Sequence, residues 1–315
     1  MAPASEVKTF VPGIEPLPEI SAVFERIRAR NPMHYRFVSS AIQQLTPDEM
    51  ARLAQYIDFC RSQGVADQQL SDSYLTIVND TLREQAYFRK HKHYRYSTFA
   101  EVADSVYFDH EYMSRYMYGL AISSFLWPNH LDLFRFFQRT LPTAKTGRYL
   151  EIGPGHGYFL MTAMRLSAFT DFLAVDISDT SINQTRAIIS HFAPALANQA
   201  QLQRMDFLDS DLATGGFDAV VMGEVLEHVE SPKSFLDQIR RVAADDAHIY
   251  LSTCINAPAV DHISLFRDPR ELERLFAASG LAIRDELIRP YEGKTLQQSL
   301  DELLPINVAY VLRKS

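Results

Sequence analysis

The stretch YLEIGPGHGYF, residues 149–159, places Gly153, Gly155 and Gly157 at alternate positions in a chain with only 12 glycines among 315 residues. A strand-like apolar run leads in and a helix-like run leads out. Glycines at such a junction serve where the backbone turns tightly or where a ligand approaches too closely for a side chain. Phosphate, dinucleotide and sulfonium cofactors all suit that arrangement. The dinucleotide fingerprint is G-x-G-x-x-G, and here the third glycine arrives one residue early. A phosphate-binding P-loop fits less well, because no Gly-Lys-Ser/Thr follows.

The pattern downstream fixes the fold class. Short apolar runs, RYLEI, FLAVDI, QLQRM, FDAVVMG and HIYLSTCI, alternate with helical stretches from about Tyr158, over 179–192 and around 231–243. PRELERLFAASG then reads as a helix, and LAIRDELIRP and NVAYVLRK as strands. Strands alternating with helices imply right-handed crossovers and a parallel α/β sheet covered on both faces. The last two strands lack a long intervening helix and predict an antiparallel arm, with 291–305 as its long connection.

Residues 19–145 read instead as helices. In LTPDEMARLAQYIDFCRSQG, Thr46 caps a helix, Pro47 opens it and Glu49 completes a capping box, with Gly64 at the stop. DSYLTIVNDTLREQAYFRKH is a second helix. An aromatic-rich block follows, holding the only Trp of the chain, Trp127. A boundary near 143–147 divides a helical cap or substrate domain, 1–145, from a cofactor-binding domain, 146–315.

The first 145 residues are balanced in charge, so the whole net charge of −8 falls on the remainder. That acidic half argues against nucleic acid as a substrate, since phosphate binding needs a basic footprint. Cys60 and Cys254 lie far apart and suit reduced thiols. No segment reaches the ~18 apolar residues of a membrane span. The proline-rich start, MAPASEVKTFVPGIEPLPE, reads as an extended lead-in without a secretion pattern, and a cytoplasmic location is expected.

Acids at the strand ends narrow the ligand. Asp176 closes the second strand, where a carboxylate accepts both hydroxyls of a ribose. Asp206 follows the third strand, where it accepts from an adenine amino group while Phe207 flanks the ring. Together with Glu151 these acids favour a cationic cofactor and repel a pyrophosphate.

LEIGPGHG, Asp176, Asp206 and GEVLEHVESP (223–232), in this order and spacing, resemble the class I S-adenosylmethionine-dependent methyltransferases, in particular the ubiquinone-biosynthesis type of small-molecule enzymes. The likeness covers residues 148–315. It implies a Rossmann-like, seven-stranded, mostly parallel sheet with an antiparallel last strand, preceded here by an all-helical cap. It also implies that Glu151, Gly153, Gly155 and Gly157 meet the methionine end of S-adenosylmethionine. Asp176 takes the ribose, Asp206 and Phe207 the adenine, and Gly223 and Glu224 the sulfonium side, with Glu224 a pocket residue and not a base.

Methyl transfer from a sulfonium needs positioning, exclusion of water and, for a hydroxyl or ammonium acceptor, a base. His228 and His262 are the candidates, and structural or substrate-orienting roles are the alternative for each. Tyr112, Tyr116, Trp127 and His130 are expected to bind the substrate, against the alternative of a helical core. His156 is expected to cover the cofactor or face solvent. FRKHKHYR (88–95) reads as a solvated helix end or a clamp for an anionic substrate group. No metal is expected. A small-molecule acceptor follows, methylated on oxygen or nitrogen with carbon as a third option; no nucleic acid or membrane partner is expected, and the oligomeric state is open, a homodimer included. Two other readings remain at this point: a methyltransferase-fold partner subunit that transfers nothing, and a nicotinamide oxidoreductase.

Overall fold

The computed structural model describes residues 17–315; the proline-rich lead-in, residues 1–16, lies outside the described residues. Seven helices come first: α1 (Pro18–Arg30), α2 (Pro32–Ile42), α3 (Pro47–Ser62), α4 (Asp67–His91), the short α5 (Phe99–Val102), α6 (His110–Leu126) and α7 (Pro128–Thr140). Proline stands at the first turn of α1, α2, α3 and α7, where its missing N–H costs nothing. The expected capping box of α3 is present: Glu49 N–H donates to Thr46 Oγ1 and Thr46 N–H to Glu49 Oε2. Glu49 also accepts both arms of the Arg135 guanidinium at 2.7 Å each, which ties α3 to α7. Between α5 and α6 the chain makes one π-helical turn, Ala103–Tyr107, closed by Phe108 N–H donating to Ala103 O.

The strands follow: β1 (Arg148–Ile152), β2 (Asp171–Asp176), β3 (Ala200–Arg204), β4 (Phe217–Gly223), β5 (Ala243–Ile255), β6 (Leu281–Arg289) and β7 (Ile306–Lys314). They form one seven-stranded sheet in the order β3-β2-β1-β4-β5-β7-β6. β1 to β5 pair in parallel, and β7 runs antiparallel between β5 and β6. The order reverses at β1, so the ends of β1 and β4 flank the switch point at which α/β sheets bind ligands. The connecting helices are α8 (Tyr158–Leu166), α9 (Asp179–Phe192), α10 (Pro232–Val242), α11 (Pro269–Ala278) and α12 (Leu296–Asp301). The long connection expected over 291–305 thus contains a six-residue helix, opened by a capping box of Thr295 and Gln298.

Alternation along the strands sends side chains to two cores. Leu150, Val220, Leu251 and Tyr310 face α10 and α11 on one side. Tyr149, Phe172, Val221 and Tyr250 face the other, and that core continues into α1–α4, α6 and α7. Phe137, buried completely, lies 4.7 Å from the Phe159 ring and 5.2 Å from that of Tyr250. The helical region and the sheet therefore share one apolar core. Phe137→Ala should lower stability by about 3–5 kcal/mol. Because of the shared core, far-UV circular dichroism and Trp127 fluorescence should still report one coincident unfolding transition in denaturant; two separated transitions would refute the coupling.

Candidate active site

The glycine loop leaves β1 with Gly153, Gly155 and Gly157 all at positive φ, +66°, +54° and +78°. Their reasons differ. A Cβ on Gly153 would stand 2.6 Å from Val225 Cγ2, and one on Gly157 2.8 Å from the Thr185 backbone. On Gly155 its nearest neighbour would be Met117 Sδ at 3.6 Å. So two glycines are required by packing, and the middle one keeps its backbone bare towards open space.

That space is one cavity of about 1190 Å³, walled by the carboxyl ends of the central strands and roofed by the N-terminal helices. It gathers the sequence-predicted residues Glu151, Gly153, Gly155, Asp176, Asp206, Phe207, Gly223, Glu224, His228 and His262 on one side, and Tyr116, Trp127 and His130 on the other. Gly157 and Tyr112 do not line it. Tyr112 stacks behind Tyr116 at 5.9 Å and donates its hydroxyl to Asp80, 2.7 Å away. Trp127 faces the cavity while its indole N–H is held by Tyr74 Oη at 3.0 Å. The roof also draws on α2 and α4, through residues such as Phe37 and Leu82. The basic residues of 88–95 are exposed at the end of α4 and do not reach the cavity; Arg95 is engaged by Glu84 and stacks over Tyr87. His156 is buried, not solvent-facing, because its Nδ1 turns inward to accept Tyr158 N–H.

Acids dominate the catalytic side. Glu151 is buried beside Tyr149, whose hydroxyl donates to it at 2.7 Å, and burial pushes its carboxyl up to about 8. Asp176 accepts Ser178 N–H and is pushed by burial up to about 6. Asp206 is exposed at the rim, where it accepts Leu208 N–H, and Phe207 beneath it packs on Phe235. Glu224 has φ +52°, a strained value for a residue with a side chain, and it sits at the end of β4. One of its carboxylate oxygens accepts from Asn307, which in turn accepts from Asn129. The other is buried without a partner. Burial and the neighbouring Glu227 charge hold Glu224 well above the usual carboxylate range.

In the segments that follow β4 and β5 the two histidines meet, ring centroids 4.7 Å apart and edge to face. Asp261 lies 3.4 Å from His228 Nδ1 and receives the Tyr107 hydroxyl at 3.2 Å. Burial opposes the imidazolium of His228, yet Asp261 and Glu227 outweigh it and raise its pKa; that of His262 is lowered by burial and by His228. Burial pushes His130 down to about 4. Sequence reasoning missed Asp261, Glu227, Tyr107 and Asn307. A signal for the first two was present, since both histidines follow an acid directly, as Glu227-His228 and Asp261-His262.

A profile of the methyltransferase domain family matches residues 129–302. The chain belongs to that family. The match begins in α7, so nearly all of the helical region lies outside it. A curated relative, the mitochondrial ubiquinone biosynthesis O-methyltransferase of Dictyostelium discoideum, is 27% identical over 150 residues, 45% of each chain. The chain thus spans less than half the length of the relative it matches. Among solved structures, mitomycin 7-O-methyltransferase aligns with TM-score 0.53 at 11% identity, over 79% of this chain and 70% of that one. Geranyl diphosphate methyltransferase, in complex with S-adenosylmethionine, aligns with TM-score 0.50 at 14% identity, over 71% of this chain and 99% of that one. These two support the fold. The matched region is a class I S-adenosylmethionine-dependent methyltransferase domain, and the nicotinamide reading is set aside.

The loop contacts separate packing from ligand approach. Gly157→Ala should destabilise the protein by about 1–3 kcal/mol more than Gly155→Ala, because only the first drives a methyl into backbone. Equal losses in urea denaturation would contradict the assignment.

Proposed function

We propose that the enzyme methylates a small-molecule acceptor enclosed between the sheet edge and the N-terminal helices, with oxygen or nitrogen as the favoured methyl acceptor. The observation that carries this reading is the single cavity, in which the glycine loop, the strand-end acids and the His228–His262 pair share walls with Tyr116, Trp127 and His130. The helical region, taken as 1–145, is then a substrate cap. The curated relative and the two aligned structures bear methyltransferase names of small molecules, which agrees with an enclosed site.

The residues present fit the cofactor. The bare backbone at Gly155 gives a close approach, and Glu151, Asp176 and the unpartnered Glu224 oxygen offer acceptors for an ammonium, for ribose hydroxyls and for the neighbourhood of a sulfonium. Asp206 and Phe207 are proposed to hold the adenine. When bound, S-adenosylmethionine supplies an activated methyl group. The protein orients the acceptor, excludes water and steadies the reacting atom at His228 and His262. The large roof aromatics suit that enclosure. Among the described residues, no helix is long and apolar enough to cross a membrane.

Two measurements test this. Among the described residues, no lysine or arginine forms an ion pair with Glu151 or Asp176. Ionisation of both, which ligand binding favours, therefore has to come from pH or from the ligand itself. Below about 6 both carboxyls hold protons in the free protein, and above about 8 both have lost them. Affinity for S-adenosylhomocysteine should thus rise with pH across this window, with proton release in calorimetry. Asp176→Asn and Glu151→Gln should each flatten part of the rise, and a flat wild-type profile would oppose the placement. Separately, His228→Ala should lower kcat on an identified acceptor by about 10²-fold or more, with cofactor affinity near wild type. Unchanged kcat would remove His228 from the reaction.

A further inference from the structure

Three acids stand at the inner end of the cavity: Glu224, half-buried with one oxygen sealed from solvent, and Glu227 and Asp261, both almost fully buried. Among the described residues, no lysine or arginine forms an ion pair with any of them; the only basic side chain paired there is His228, with Asp261. Buried carboxylates without a counter-charge are costly. A sulfonium supplies one positive charge near Glu224 and the His228 imidazolium at most one more beside Asp261, so three acids still face two positive charges.

The two imidazoles at that end are arranged as ligands. His262 Nδ1 lies 2.6 Å from Ala257 O, and His228 Nδ1 lies 3.1 Å from Asp261 O. A carbonyl only accepts, so each neutral ring carries its proton on Nδ1 and keeps a free lone pair on Nε2; at His228, whose pKa is raised, an ion has to displace the second proton. Among the described residues, no donor reaches either Nε2. Histidine ligands in metal sites are commonly fixed by just such a bond from the other ring nitrogen. The Asp261 carboxylate is likewise oriented, by the Tyr107 hydroxyl at 3.2 Å and that of Tyr116 at 3.5 Å.

We propose that His228, His262 and Asp261 form a site for one divalent first-row transition ion, with its open positions turned into the cavity. Ligand-capable atoms of the three lie within 4.8 Å of one another. Ligands around such an ion at about 2.1 Å stand roughly 3–3.5 Å apart; the Asp261 carboxylate lies on the Nδ1 side of His228, at 3.4 Å, so rotation of that carboxylate toward the two Nε2 atoms is the movement that closes the set. Two imidazoles and one carboxylate select zinc, iron(II), cobalt or manganese over magnesium or calcium, which prefer all-oxygen sites. Glu227, Cys254 and His262 make a second set of the same compactness. That set is less open: two of its three members, Glu227 and Cys254, are buried and the thiol is directed at Glu227 itself at 3.8 Å, whereas in the first set only Asp261 is buried. His228, by contrast, keeps 17% of its side chain exposed to the cavity. Resting on the methyltransferase reading above, the site narrows the acceptor to molecules whose oxygen donors complete the ion's coordination. This departs from the sequence expectation of no metal.

The test uses the full, tag-free chain, stripped by chelator and titrated with cobalt(II) chloride, with visible absorption and metal analysis as readouts. One cobalt per chain is expected, with d–d bands of an N/O site and no thiolate charge-transfer band. His262→Ala and Asp261→Asn should each weaken binding at least tenfold, while Cys254→Ser binds like wild type. S-adenosylhomocysteine binding in the same samples shows that the variants are folded. No stoichiometric cobalt binding, or equal binding by wild type and Asp261→Asn, overturns the proposal. Loss on Cys254→Ser with retention in Asp261→Asn also overturns it and moves the ion to the second set. If cobalt fails while S-adenosylhomocysteine binds, only the metal site falls; if wild type fails to bind S-adenosylhomocysteine, the reading of the cavity itself falls.

Discussion

The contact on which the rest depends is the aromatic seam between α7 and the sheet. Phe134 and Phe137 meet Tyr158, Phe159 and Tyr250 at ring separations of 4.7 to 5.7 Å. Aromatic pairs of this kind add specific geometry to a large buried area. They fix α7, and with it Trp127, Asn129 and His130, relative to strands whose ends carry the acids. The cavity has its shape because this seam leaves no freedom for the roof to slide. Arg135, bidentate on Glu49, extends the same restraint to α3.

The second organising fact is electrostatic. The sheet edge concentrates carboxylates where the protein provides little positive charge of its own. Burial makes such carboxyls hold their protons to higher pH than usual, Asp176 to about 6 and Glu151 to about 8. The site is thus poised for a cationic ligand in a way that a pyrophosphate pocket is not. The strained backbone at Glu224 and Asn256, φ +52° and +51°, falls at the ends of β4 and β5, where the wall of the cavity is built. Strain collects where side chains are aimed by function and not by local comfort.

Much of this was legible in the sequence. β4 and α9 begin and end where the apolar runs indicate, and the alternation of runs gave the parallel sheet with its antiparallel arm. These features are local or strongly periodic. The short helix at 296–301 is not legible in the sequence, because six residues give too little periodicity. The site divides in the same way. Glycines and strand-end acids announce themselves by position along the chain. Tyr107 meets Asp261 across 154 residues and Asn307 meets Glu224 across 83, and nothing in their own neighbourhoods marks them as partners. The contrast of Tyr112 with Tyr116 is of the same kind: both are tyrosines of one helix, four residues apart, yet only one reaches the cavity. Which one does so is set by the turn of α6 against α4, where Asp80 captures Tyr112.

The π-helical turn at 103–107 ties the roof of the cavity to two loops at the sheet edge. It holds one residue more than an α-helical turn would, and Tyr107, at its end, joins two parts of the wall: its carbonyl accepts from Ser178 and its hydroxyl reaches Asp261. Removing a single residue from that turn would restore α-helical winding and swing Tyr107 by about 100° around the axis. A relative with a one-residue gap here would lose this bridge even if every residue lining its cavity were identical. In comparing such chains, the length of the α5–α6 segment therefore separates sites that residue-by-residue matching would group together.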